Sequence, residues 1–333
     1  MPPLDAFMPA DADWSGFAHF LLGRVRASNA LPGPRMRIVW WKTLEELGRI
    51  PRWPDDCGHV LDAEALLEAH IREMDSKGKV DGLAPCISFF SHRWERPSMS
   101  GGAHPDSADH KKSKALASYG RACTCPIFEH HKFDYYFWID FNGIDQDDMN
   151  DKVLGICKLP AYTASSIETI FYNSSTTKYE PRAWTRVERV LSYTYTLSPL
   201  FVYMDDKYPT EPCDIDLICA AQPDAFIKHS ETGALCMKLK DPAGQDAQIT
   251  DRKDLELIGQ IMGIATSAIP LNPAHKIALA ATGGAEPLTE PGEAGGGGHV
   301  KLGETTVMVD TEHYRLDFEA QQRVKEAINR STF

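Results

Sequence analysis

The chain has 333 residues, 43% hydrophobic and 25% charged, a balance that allows a sizeable core and excludes a disordered or fibrous polypeptide. Its 47 acids outnumber its 35 lysines and arginines, a formal charge of −12 that repels phosphate backbones and argues against nucleic acid as a partner. No apolar run reaches the roughly 18 residues of a membrane span, the opening Met1 to Trp14 lacks the basic and apolar regions of a secretion signal, and the eight cysteines are dispersed, so the expected setting is the cytoplasm.

Residues 1–83 read as an N-terminal extension. Within it, Arg37-Ile-Val-Trp-Trp41 has strand character, and Ala63, Leu67, Ile71 and Met74 recur at helical spacing. From 84 to 205 short apolar runs alternate with helix-competent stretches: Cys86 to Phe90, Tyr135 to Ile139, Ile167 to Tyr172 and Leu200 to Tyr203. Such runs suit buried parallel strands joined by crossover helices, the pattern of an α/β fold. Pro160 interrupts the helical stretch before the third run. Residues 206–333 form a C-terminal extension, with a helix over 254–268, a Gly/Pro-rich connector over 283–298, a strand over 305–309 and a closing helix over 318–328.

In an open parallel sheet, ligands bind beyond the carboxyl ends of the strands. The first core strand delivers Ser91, His92, Arg93 and Trp94 there, and the second delivers Asp140, Asn142, Asp145, Gln146, Asp147 and Asp148. Asp145, Asp147 and Asp148 suit turns and helix starts, while Asp140, directly at a strand end, suits site lining. Arg93 has the planar fork that grips phosphate. On a helix of ~100° per residue, Trp184, Val187, Glu188 and Leu191 share one face and Arg182, Arg186 and Arg189 the opposite one. The arginine stripe reads as a solvated or interface face. Glu188 instead sits within the apolar stripe, where a carboxylate must be paired, protonated or used on a ligand. Cys123-Thr-Cys125 has the wrong spacing for zinc, and the histidines are scattered, so no metal site is expected.

The order Ser-His-Arg-Trp, then Phe-Trp-Ile-Asp with Ile-Asp-Gln-Asp-Asp, then Arg-x-Trp-x-x-x-Glu resembles the fungal heterokaryon-incompatibility (HET) domain and its relatives in the Toll/interleukin-1 receptor (TIR) superfamily. The resemblance covers residues 84–205. It implies a flavodoxin-like (TIR-like) parallel sheet flanked by helices and, from the NAD-cleaving members, a catalytic glutamate. Carried over, Glu188 is the catalytic carboxylate, with Ser91, His92, Arg93, Trp94, Asp140, Asn142, Gln146 and Trp184 as substrate-binding residues. The chain departs from the HET pattern at Gly143, where those domains usually carry Cys, and its first motif has His-Arg where they have Tyr-x.

The leading expectation is an enzyme of glycohydrolase type that cleaves an N-glycosidic bond in NAD or a related nucleotide. The nucleotide is then a substrate, and no further cofactor is called for. The alternatives are a non-catalytic module that signals by homo-oligomerisation through the arginine stripe, and a metal-assisted nucleotide or sugar-phosphate enzyme using Asp140, Asp145 and Asp147.

Overall fold

A computed structural model describes residues 14–77, 84–96, 104–124, 133–175, 178–179, 181–195, 201–206, 226–228, 235–237, 242–249, 254–268, 298–302 and 305–309. The architecture is α/β. The main sheet has six strands, taken in chain order as β1 (Arg37–Trp40), β2 (Leu61–Asp62), β3 (Ala84–His92), β4 (Phe133–Trp138), β5 (Glu168–Asn173) and β6 (Phe201–Asp205). Their spatial order is β2-β1-β4-β3-β5-β6. β4, β3, β5 and β6 are parallel, whereas β1 runs antiparallel to both β4 and β2. The four apolar runs of the sequence are thus the four parallel strands, and the central β3 is buried along its whole length, as a strand covered on both faces must be.

The sheet therefore extends further back than the boundary at residue 84 that the pattern suggests. Ile38 and Val39 are fully buried, and β1 caps the free edge of β4 that would otherwise expose unpaired backbone groups. Beyond residue 205 the same correction holds for one helix, since Ile258, Ile261 and Met262 of Asp254–Ala268 join the core. Most of the Gly-rich stretch 283–298 and the expected closing helix at 318–328 lie outside the described residues.

Helices α1 (Trp14–Ala30), α2 (Trp41–Leu47), α3 (Ala63–Lys77), α4 (Lys111–Thr124), α5 (Asp140–Gly143), α6 (Met149–Cys157), α7 (Leu159–Ala164), α8 (Ala183–Tyr195) and α9 (Asp254–Ala268) connect or cover the strands. Pro160 lies in the first turn of α7, so the break falls at Lys158, and both flanking segments remain helical. From β3 the chain crosses to β4 through α4, then returns past β3 to β5 through α6 and α7. Right-handed crossovers put connections that travel in opposite directions on opposite faces. Side chains follow: Tyr119 of α4 reaches Glu168 on one face, and Ser192 of α8 reaches Thr169 on the other. The direction of winding reverses at β3, the kind of place at which open α/β sheets have a crevice above the carboxyl ends of their strands. Two short antiparallel hairpins complete the described structure: β7 (Phe226–Lys228) with β8 (Leu235–Met237), and β9 (Gly298–Leu302) with β10 (Thr305–Val309). Among the described residues, no helix is long and apolar enough to cross a membrane.

Trp138 anchors the α7 face of the core, with its ring 4.9 Å from Phe89 and 4.7 Å from Tyr162, both stacked. On the other face α2 lies directly against α4, and a Cβ added at Gly120 would overlap Trp41 Cβ and Cγ. Gly120→Ala should therefore force the helices apart and cost about 1–3 kcal/mol, read as a lower midpoint in chemical denaturation. An unchanged midpoint would mean that the contact yields freely.

Candidate active site

Three elements meet above β3. The strand brings Ser91 on its α8 face and His92 on its α4 face, because alternate residues point to opposite sides. β4 leads through Ile139 to Asp140, the first residue of α5. α8 brings Glu188.

Glu188 is partly buried, and Ser91 Oγ donates to its Oε2 over 2.6 Å. Loss of hydration pushes its carboxyl up to about 8; the Ser91 hydrogen bond opposes this shift, and the negative charge of Asp140 adds to it. Asp140 goes the other way. Burial alone would raise it, but a hydrogen bond and the charge of His92, together with the Trp94 indole N–H and a backbone N–H, hold it below the usual carboxylate range. Trp94 Nε1 lies 2.6 Å from Asp140 Oδ2 and His92 Nε2 3.3 Å from Oδ1. His92 is itself stacked on Phe90, 4.7 Å between rings, with Nδ1 buried and without a hydrogen-bond partner. The two acids of the site are thus shifted in opposite directions. Environments that separate two acids in this way are a mark of acid–base sites.

The other sequence candidates have definite places. Arg93 is half-buried at the rim, its Nη1 donating to the carbonyl of Lys178 over 3.1 Å. Trp94 packs edge-on against Phe141 and orients Asp140. Trp184 lies one turn before Glu188, but its indole N–H donates to Asp254 at the start of α9 over 2.8 Å and its half-buried ring packs against the core. Asn142 and Gln146 shape the loop: Asn142 Oδ1 accepts from the Ile139 N–H, and Gln146 Nε2 donates to the carbonyls of Asp140 and Ile144. Asp145 accepts from the backbone N–H groups of Asp147 and Asp148, Asp148 caps α6, and Asp147 pairs with Arg52 at 2.6 Å. These are the turn and cap duties expected of such acids. Among the described residues, no three His, Cys, Asp or Glu side chains converge as a metal would require.

The arginine stripe is a correction. Arg186 and Arg189 are only 3% and 1% exposed, because α8 is covered on both sides. Arg186 makes a two-pronged pair with Asp246 at 2.9 and 2.8 Å, and Arg189 lies over the rings of Tyr179 and Phe171. Helical periodicity identified the face; what covers it is a segment 60 residues further along the chain. The charged self-association surface loses its basis with those two residues.

Sequence reasoning missed Tyr179, whose hydroxyl bonds Ser91 Oγ, and no local pattern marks it. It also missed Glu168, fully enclosed on the α4 face, where Ser88 and Tyr119 donate to it. A signal for that residue was present, a lone carboxylate inside the apolar run Ile167 to Tyr172. No protein-family model, curated protein or solved structure matches the chain, so the chemistry has to come from the residues themselves.

A carboxyl that ionises near 4.5 when unfolded and near 8 when folded keeps its proton longer in the folded state. Stability should then fall as pH rises between those values. Glu188→Gln carries no such proton. Its denaturation free energy, measured from pH 4.5 to 8, should decline less than that of the wild type, by an amount on the order of a few kcal/mol at the upper end. Parallel curves would show that Glu188 ionises normally.

Proposed function

We propose that the protein cleaves the N-glycosidic bond of a nucleotide of the NAD type, with Glu188 as the carboxylate that meets the ribosyl carbon. The observation that carries this reading is a single glutamate at the switch point of a parallel sheet, partly buried, bonded to Ser91 and within the field of Asp140. The parallel strands run in the order second, first, third, fourth along the sheet, which supports a flavodoxin-like core with its ligand at this crevice. Cys57, Cys86, Cys123 and Cys157 are thiols, in keeping with a cytoplasmic setting.

The reaction breaks the bond between the ribosyl C1′ and the nicotinamide nitrogen. The electron pair leaves with the nitrogen, so the cationic ring departs neutral and needs no proton. The ribosyl oxocarbenium ion left behind is stabilised or captured by the Glu188 carboxylate, then takes a water oxygen and releases a proton. Ionised Glu188 is required for this step. Burial pushes its carboxyl up to about 8, and a cationic nicotinamide beside it would draw the proton off. The charge of Asp140 favours the same cation, and Arg93 at the rim suits the phosphates.

The test is to incubate the purified protein with NAD and measure free nicotinamide. Product is expected from the wild type, with kcat lowered about 10²–10³-fold or more in Glu188→Gln, and with KM raised in Arg93→Ala. The wild-type rate should fall on the acid side as Glu188 protonates. Cleavage by Glu188→Gln at the wild-type rate would remove the assignment.

A further inference from the structure

The hydroxyls beside Glu188 form a chain whose protons can be counted. Ser91 Oγ lies 2.6 Å from Glu188 Oε2 and is hydrogen-bonded to Tyr179 Oη, with either oxygen able to donate. Tyr179 Oη in turn lies 3.1 Å from the carbonyl oxygen of Thr185, which only accepts. Ser91 and Tyr179 contribute one proton each. When Glu188 is protonated, a third proton is present and all three contacts are filled in one direction: Glu188 donates to Ser91, Ser91 to Tyr179, and Tyr179 to Thr185. When Glu188 is ionised only two protons remain. Ser91 then donates to the carboxylate, and because the Ser91–Tyr179 contact is the closest of the three and two bare oxygens repel, Tyr179 turns its proton from Thr185 to Ser91.

We propose that Tyr179 is a positioning residue of this site: acting through Ser91, it accepts or supplies the hydrogen bond that each ionisation state of Glu188 requires, so the chain reverses direction when Glu188 exchanges its proton. The phenol is held firmly enough for this role. Thr185 Oγ1 donates to the Tyr179 carbonyl over 2.6 Å, and the ring packs edge-on against Phe171. Burial pushes the phenol far above its ordinary range, so it remains a donor at every working pH. Among the described residues, the groups that act on Glu188 and Tyr179 come from β3 with Ser91, from α5 with Asp140, whose charge acts on Glu188, and from the 178–179 segment with Tyr179 itself. His92 and Trp94 reach Asp140, and Arg189 of α8 lies 5.2 Å over the Tyr179 ring.

For turnover this inference rests on the nucleotide-cleavage reading. Its test uses the ligand-free full chain: titration of the Glu188 carboxyl carbon by NMR, with Glu188→Gln assigning the signal. In Tyr179→Phe, protonated Glu188 still donates to Ser91, but the Ser91 proton then has no acceptor. The ionised state keeps its donor, so the midpoint should fall by about one pH unit. In Ser91→Ala the carboxylate loses a donor, and hydrogen bonds to a charged group are the stronger ones, so the midpoint should rise. A fall in the first variant with a rise in the second supports the chain, and any other pattern overturns it. Should either variant fail to fold, the wild type answers by itself. The Tyr179 Cζ resonance should move with the Glu188 midpoint and stay constant in Glu188→Gln, and a Tyr179 signal indifferent to Glu188 overturns the proposal. Absence of NAD cleavage with this titration pattern intact would remove the nucleotide reading alone.

Discussion

A carboxylate withdrawn from water must gather donors or keep its proton, and the carboxyl end of this sheet contains one acid that does each. Asp140 has an imidazole, an indole and a backbone N–H directed at it and stays ionised. Glu188, whose neighbours are a serine and that same anion, retains its proton well past the ordinary glutamate range. Each acid shapes the other, since the charge retained by Asp140 is one reason Glu188 gives up its own proton late. The chemical potential of the site lies in this difference, which persists only while three chain segments are held within hydrogen-bonding reach.

The holding reaches well beyond the two acids. His92 and Trp94, which keep Asp140 ionised, leave the end of β3 on a segment secured from beneath by Lys112. That amine is almost wholly buried; it donates to the carbonyls of Arg93 and Pro105 and lies 3.4 Å from the carboxylate of Glu95. Burial pushes it below the ordinary lysine range, against the pull of Glu95 and Asp106. Asp106, fully enclosed, accepts from the backbone N–H groups of Ser107, Lys112 and Ser113 and so joins the same segment to the start of α4. A buried ion pair adds little net stability compared with apolar packing. What this one contributes is a single arrangement of the loop that carries Arg93 and Trp94.

Glu168 shows that burial alone does not make a site. Its carboxyl is raised to about 7 by desolvation, against hydrogen bonds from Ser88 and Tyr119, much as Glu188 is raised. Yet it pairs with the middle of β3 under α4, in register with Ser88 and one strand across. It is sealed from solvent on every side. Two buried acids thus lie on opposite faces of one sheet. The one at the strand end, beneath a change in winding direction, keeps some exposure, and the one at mid-strand serves packing and register.

The amino-acid pattern by itself determined the parallel strands and several helices, because burial on both faces demands continuous apolar runs and an amphipathic helix repeats at 3.6 residues. It also singled out Glu188, because a carboxylate within an apolar stripe conflicts with its surroundings wherever the stripe is buried. What periodicity could not supply was the identity of the neighbours. The arginines of α8 read as a solvent face until Asp246 and the rings of Tyr179 and Phe171 enclose them. β1 read as part of a separate extension until it closed the edge of β4. Tyr179 carries no local signal, since its role depends on a hydroxyl 88 residues away in sequence. Periodicity is a property of adjacent residues and survives in any fold that buries them. Pairing, enclosure and the ionisation of an acid depend on distances between remote segments, and those exist only once the chain has folded.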